Sequence, residues 1–149
     1  MIRETFVHYV TGVLERDLEH WGLFQCLNKL DTHLEFEELT QVISDIVKLW
    51  LEHVHEEEAF MFAIDYPYVK THCNAHRAMT PKFEALKHKV AEDQFYSLKN
   101  MKQDLEKMFK EHIDTMDMQY SQWLYKSDNS DLVVNKQLLS RQIGIDMTQ

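Results

Sequence analysis

A chain of 149 residues is long enough for one domain and too short for two ordinary ones, and at this size it needs neither disulfide nor metal merely to fold. Apolar residues make up 44% and charged residues 28%, while only three glycines and two prolines argue against sandwiches, barrels and turn-rich α/β folds. A formal charge of −9 offers no basic face to displace counterions from phosphate, so neither nucleic acid nor an anionic membrane surface is expected as a partner.

In chain order, residues 1–13 leave room for a short helix broken at Gly12. The first strong stripe is Leu14, Leu18, His20, Leu23, Phe24, Leu27, Leu30 and Leu34, whose spacings of three and four place them on one helical face. A second runs Leu39, Val42, Ile43, Ile46, Trp50, His53, Glu57, Phe60, Met61 and Ile64. The third follows Pro67, suited to the first turn of a helix, and reads Val69, His72, Cys73, His76, Met79, Phe83, Leu86 and Val90; Pro81 inside it predicts a kink or an early end. The fourth runs from Phe95 through Leu98, Met101, Leu105, Met108, Phe109, His112, Ile113, Met116 and Tyr120 to Leu124. Residues 128–131 look like a turn and cap, after which residues 132–143 are expected to form a shorter fifth helix. The predicted fold is all-α: an up-down-up-down four-helix bundle over about residues 14–126 with short extra segments at both ends, in a single domain spanning residues 1–149.

The longest apolar stretch, residues 59–64, is far short of a membrane span, and the opening MIRETFVHYV lacks the apolar core of a secretion signal. Two cysteines, Cys26 and Cys73, are too few for a disulfide framework, and the expected compartment is the cytoplasm.

A titratable residue on a buried face costs free energy unless something satisfies it. Every one of the four stripes nevertheless contains histidine: His20, then His53 with Glu57, then His72 with His76, then His112 with Asp117. Four residues turn a helix through about 400°, so His53/Glu57 and His72/His76 stand nearly above one another. H-x-x-x-E occurs also as His33/Glu37 and His88/Glu92, but both lie amid polar residues at expected helix ends and read as solvated surface. Five histidines and two carboxylates from four helices, all facing one core, cannot be buried as mutually satisfied polar groups without several internal partners. A metal centre resolves this: imidazole and carboxylate suit iron, zinc or manganese, carboxylates can bridge two ions, and seven ligands exceed the four of a closed zinc site.

Read in order, D-L-E-H-W-G-L, H-V-H-E-E-E-A-F-M, Y-P-Y-V-K-T-H-C-N-A-H and H-I-D-T-M-D resemble the hemerythrin family, including its bacterial single-domain members, over about residues 14–126. The family pattern is one histidine, then H-x-x-x-E, H-x-x-x-H and H-x-x-x-x-D, and all seven positions carry the expected residue types. The resemblance implies a non-haem di-iron centre, two iron ions sharing an oxo or hydroxo bridge, that binds dioxygen reversibly. His72, His76 and His112 would fill one iron's shell; His20 and His53 would hold the other with one position open; Glu57 and Asp117 would bridge the pair. Leu23, Val54, Met108, Phe109 and Ile113 would wall the oxygen pocket. Val54 stands where the family often has phenylalanine and Met108 where it often has tryptophan, which loosens that wall.

Carriage, storage or delivery of oxygen, rather than enzyme catalysis, is the expected role. An oxygen or redox sensor built on the same centre is one alternative, disfavoured by the expectation of a single domain. A di-iron enzyme handling peroxide or nitric oxide is another, but a ferritin-like site needs Glu-x-x-His twice and it occurs once, Glu52 to His55. His8, His33, His55 and His88 are expected to lie outside the site; His55 stands about 200° around the helix from His53. His112 and Asp117 are five residues apart, which a regular α-helix separates by about 140°; either Asp117 reaches sideways to bridge two ions lying across the helix face, or a local π-bulge between residues 108 and 120 brings the two into line, and the bulge is the favoured expectation.

Overall fold

A computed structural model of the chain describes residues 10–30, 33–92 and 95–127. It contains α1 (Leu14–Asn28), α2 (Phe36–Ala63), α3 (Val69–Ala91), α4 (Phe95–His112), a π-helical turn (Ile113–Asp117) and α5 (Met118–Lys126). Both flanks of the π turn, His112 and Met118, keep right-handed helical dihedrals, so α4, the π turn and α5 form one rod and the architecture is a four-helix bundle. Each helix packs on its neighbour in chain order and α1 closes against α4. The connections, residues 29–35, 64–68 and 92–94, are short enough to make sequence neighbours antiparallel.

Local chemistry explains the boundaries. Gly12 has φ 93, a left-handed conformation that glycine adopts without strain, and it turns residues 10–13 out of helical geometry ahead of α1. The Asp17 carboxylate then accepts from the Thr11 and Gly12 N–H groups at 2.8 Å each and from the Thr11 hydroxyl at 2.6 Å, pinning that turn to the first turn of α1. At α2 a capping box joins Glu35 and Glu38, satisfying two N-terminal donors. The far end of α2 closes on a Schellman motif: Tyr66 N–H donates to Met61 O and Asp65 N–H to Phe62 O, with Asp65 at φ 55 where glycine is usual.

Three expectations meet a correction. Leu30 and Leu34 lie beyond α1, because i−3 bonds from Lys29 and Leu30 tighten its last turn and end it at Asn28. Pro67 sits in the turn before α3 rather than in its first turn. Pro81 does not end α3, which runs through it to Ala91: buried Met79 and Phe83 on either side anchor the helix to the core, so packing overrides the missing N–H. Residues 1–9, the cap at residues 128–131 and the fifth helix at residues 132–143 fall outside the described residues.

The core is split in two. The larger cluster gathers Leu23, Phe24, Leu27, Ile43, Ile46, Trp50, Phe83, Leu86, Phe109 and Ile113; a smaller one holds Val13, Met61, Ile64, Tyr66, Tyr120 and Leu124. Along α2 the order is Trp50 of the first cluster, His53, Glu57, then Met61 of the second. The same order recurs on the fourth rod with Phe109, His112, Asp117 and Tyr120. The polar residues therefore form one layer sealed between two apolar ones.

Candidate metal centre

All seven predicted ligand residues are at most 5% exposed, and six are at most 1%. Helical spacing brings His53 over Glu57 on α2 and His72 over His76 on α3. On the fourth rod the π turn does the corresponding work: Met118 N–H donates to Ile113 O, a bond spanning five residues, and the wider turn swings Asp117 onto the face of His112. Asp117 Oδ1 then stands 3.0 Å from His112 Nε2 and 2.9 Å from His72 Nε2, while its Oδ2 stands 3.1 Å from His20 Nε2.

Two donor groups result, and they share both carboxylates: Glu57, His72, His76, His112 and Asp117 form one, and His20, His53, Glu57 and Asp117 the other. In the first, His112 Nε2 lies 3.0 Å from His72 Nε2 and 3.1 Å from His76 Nε2. One ring nitrogen cannot serve two others and a carboxylate as a hydrogen-bond partner at once. Nitrogens held at right angles around one ion at about 2.1 Å do lie about 3 Å apart. Glu57 Oε2 completes the picture, 3.1 Å from His76 Nε2, 3.4 Å from His72 Nε2 and 3.3 Å from His53 Nε2. Despite this crowding, His20 Nε2, His53 Nε2, Glu57 Oε2 and both Asp117 oxygens are buried without a well-formed hydrogen bond. Orphaned lone pairs converging on one point fit a pair of metal ions and fit little else.

Around these donors lies a ring of residues outside the expected ligand set, of which Trp50 and Tyr120 stand in the apolar stripes. Tyr120 donates its hydroxyl to Glu57 Oε1 at 2.7 Å and so fixes the carboxylate with Oε2 toward the histidines. Glu58 Oε1 stands 3.1 Å from His76 Nδ1, Glu19 Oε2 3.6 Å from His53 Nδ1, and Asp17 Oδ1 3.8 Å from His20 Nδ1. Trp50 donates its indole N–H to the Thr80 hydroxyl at 2.9 Å, which in turn donates to His76 O at 2.9 Å, tying α2 to the ligand-bearing turn of α3. Tyr120, a phenol in an apolar stripe three residues past Asp117, was the one signal in the sequence that could have found part of this ring.

The electrostatics of the metal-free protein follow from the crowding. Burial opposes a charge on His53, but Glu57, Glu19 and Asp117 prevail and raise it to about 10. Burial likewise opposes His72, which Asp117 and Glu57 raise to about 9. Glu57 is pushed up by burial yet held well below its ordinary value by His53, His72 and His76; Asp117 is pushed up by burial and by Glu57 and brought well below by His112 and His20. Burial, Glu57 and Asp117 lift the Tyr120 phenol well above its ordinary value, so it remains a donor. Protons on His53 and His72 thus balance the two buried carboxylates until a cation displaces them.

The expected pocket wall divides. Leu23, Phe109 and Ile113 are fully buried, and the Phe109 ring lies 5.4 Å from that of His20 and 6.2 Å from that of His53. Val54 and Met108 are half-buried against the same cluster, and Met108 also lines a surface groove with Lys82, Ala85 and Met101. His33, His55 and His88 are exposed, away from the centre; His8 lies outside the described residues.

Comparison with known proteins converges on the same region. The family model for the hemerythrin HHE cation-binding domain matches residues 12–124. Bacteriohemerythrins of Campylobacter jejuni subsp. jejuni, from serotypes O:6, O:2 and O:23/36, are each 32% identical over 74 residues, covering 47% of this chain and 56% of theirs. The chain therefore spans about half the length of these relatives. No solved structure matches. The matched span contains α1 to α4, the π turn, α5 as far as Leu124 and every donor of the two groups: the chain belongs to the hemerythrin family.

Proposed function

We propose that this protein binds dioxygen reversibly at a di-iron centre and serves as an oxygen carrier or store rather than as an enzyme, in the cytoplasm. The observation that carries this reading is the inequality of the two donor groups, five residues against four, joined by Glu57 and Asp117. Histidine and carboxylate together suit iron. His72, His76 and His112 would hold one ion and His20 and His53 the other, with Glu57 and Asp117 shared. Held there as a ferrous pair, the metal would supply the two electrons that reversible dioxygen binding requires, one from each ion.

The protein's own task is to hold that inequality fixed in a dry cavity. Phe109, packed against both His20 and His53, keeps water from the four-donor side, with Leu23 and Ile113 in the same sealed cluster. Tyr120 holds the plane of Glu57. Hydrogen bonds from Thr11 and Gly12 to Asp17 anchor the start of α1, which carries His20.

Loading the metal-free protein with ferrous iron under argon and cycling it between air and argon tests the reading. Two irons per chain and a colour that appears in air and vanishes under argon over repeated cycles are expected. Irreversible bleaching with oxygen consumed in every cycle would replace the carrier by an enzyme. A single zinc as the bound metal would overturn the di-iron reading itself.

A further inference from the structure

We propose that Arg16 is a positioning residue for the metal centre: its buried guanidinium draws the Glu19 carboxylate away from His53 Nδ1 and so weakens the support of that one ligand. The proposal rests on the two-ion reading of the site above.

Arg16 and Glu19 lie three residues apart on α1, on the face that meets α2. Arg16 is only 6% exposed, an unusual place for a guanidinium, and its Cζ lies 5.8 Å from the centroid of the Phe60 ring. Its Nε stands 3.0 Å from Glu19 Oε2, the same oxygen that stands 3.6 Å from His53 Nδ1. The other acidic neighbour, Glu15, is 4.0 Å away and 82% exposed, so solvent screens it. Neither Glu19 oxygen, nor Arg16 Nε, nor His53 Nδ1 has a well-formed hydrogen bond, although all are buried. One carboxylate is thus shared between two donors and sits nearer the guanidinium.

The consequence follows from ligand chemistry. A histidine that gives Nε2 to a metal carries its proton on Nδ1, and a carboxylate accepting that proton's hydrogen bond makes the ring a stronger donor. At 3.6 Å Glu19 is beyond hydrogen-bond reach of His53, whereas Glu58, which also meets the weakly donating Cys73 thiol but no guanidinium at such range, comes within 3.1 Å of His76. Arg16 therefore adds to the inequality of the two sides: it leaves His53, like His20 with Asp17 at 3.8 Å, less supported than His76 on the five-donor side. With Arg16 gone, the nearest donor left to the buried Glu19 carboxylate is the His53 N–H.

Titration of the metal-free full chain with Co2+ under argon, followed by the d–d absorption of the bound ion, tests this with Arg16→Met, Arg16→Lys, Glu19→Gln and the double variant R16M/E19Q. Glu19→Gln is expected to weaken one of the two binding steps roughly tenfold. Arg16→Met is expected to move the same step the opposite way by a similar factor and to shift the bands of that ion alone. Arg16→Lys, which restores a cation, should follow wild type, and the double variant should match Glu19→Gln because Arg16 acts only through Glu19. Should Arg16→Met fail to fold, Arg16→Gln carries the same expectation. Arg16→Met weakening the step as Glu19→Gln does, or both steps moving together, would overturn the proposal and reduce Arg16 to a scaffold residue. A wild type that takes up one Co2+ overturns the two-ion reading instead; the opposite signs of the two single variants on the remaining step still decide the role of Arg16.

Discussion

The three-histidine and two-histidine sides of the centre are built from the same chemistry to different tolerances. On the first, α3 and the fourth rod preset three Nε2 atoms, with His112 Nε2 3.0 Å from that of His72 and 3.1 Å from that of His76, and Glu58 backs His76 at 3.1 Å. On the second, His20 and His53 come from α1 and α2, and the carboxylates behind them are committed elsewhere, Asp17 to Thr11 and Gly12 and Glu19 to Arg16. The lesson is a division of labour. On the proposed reading, a side saturated with donors would retain its ion, and a side with fewer, less supported donors would leave room for an exogenous ligand.

The largest effect is expected where the two sides meet. Glu57→Ala or Asp117→Ala removes a residue common to both groups and leaves buried histidines without a counter-charge, so metal content measured by elemental analysis should fall from two ions per chain to well under one. Full retention of one ion in both variants would break the idea of shared bridges. His20→Ala sharpens the comparison, since it spares the five-donor group: one ion should remain, with no colour response to air.

Metal removal exposes the next difference. His53 at about 10 and His72 at about 9 lie above their ordinary value of 6.5, so the stability they contribute is complete below about pH 6.5 and is lost as pH rises through 9 and then 10. The thermal midpoint of the metal-free protein should therefore fall across that window while the loaded protein, whose histidines are already deprotonated, stays level. Calorimetry in buffers of different ionisation enthalpy should correspondingly show protons released on metal uptake at neutral pH; uptake without release would contradict the charge balance described above.

Tyr120→Phe removes one buried hydrogen bond to a carboxylate, 2.7 Å long, and should cost about 2 kcal/mol in denaturant unfolding without changing metal stoichiometry. The smallest effect belongs to His55→Ala. His55 is exposed on the opposite face of α2 from His53, so metal content and colour should match wild type, and bleaching would show the α2 register to be wrong.

Much of this was legible in the order of residues. A titratable side chain inside an apolar stripe announces itself, because burial without a partner is costly, and His20, His53, Glu57, His72, His76, His112 and Asp117 each sit in or beside such a stripe. The five-residue gap between His112 and Asp117 flagged an irregularity in the same way, since a regular helix turns the two apart; it left a sideways reach of Asp117 open beside the π turn that the structure has. Both signals are local: periodicity along one helix determines which residues share a face. The path of α3 through Pro81, the burial of Arg16, and the reach of Glu19 to His53, Glu58 to His76 and Tyr120 to Glu57 were decided only by tertiary structure. Each depends on how one helix sits against another, and an exposed-looking charge on one helix acquires its meaning from a histidine that a neighbouring helix delivers to the same few ångströms.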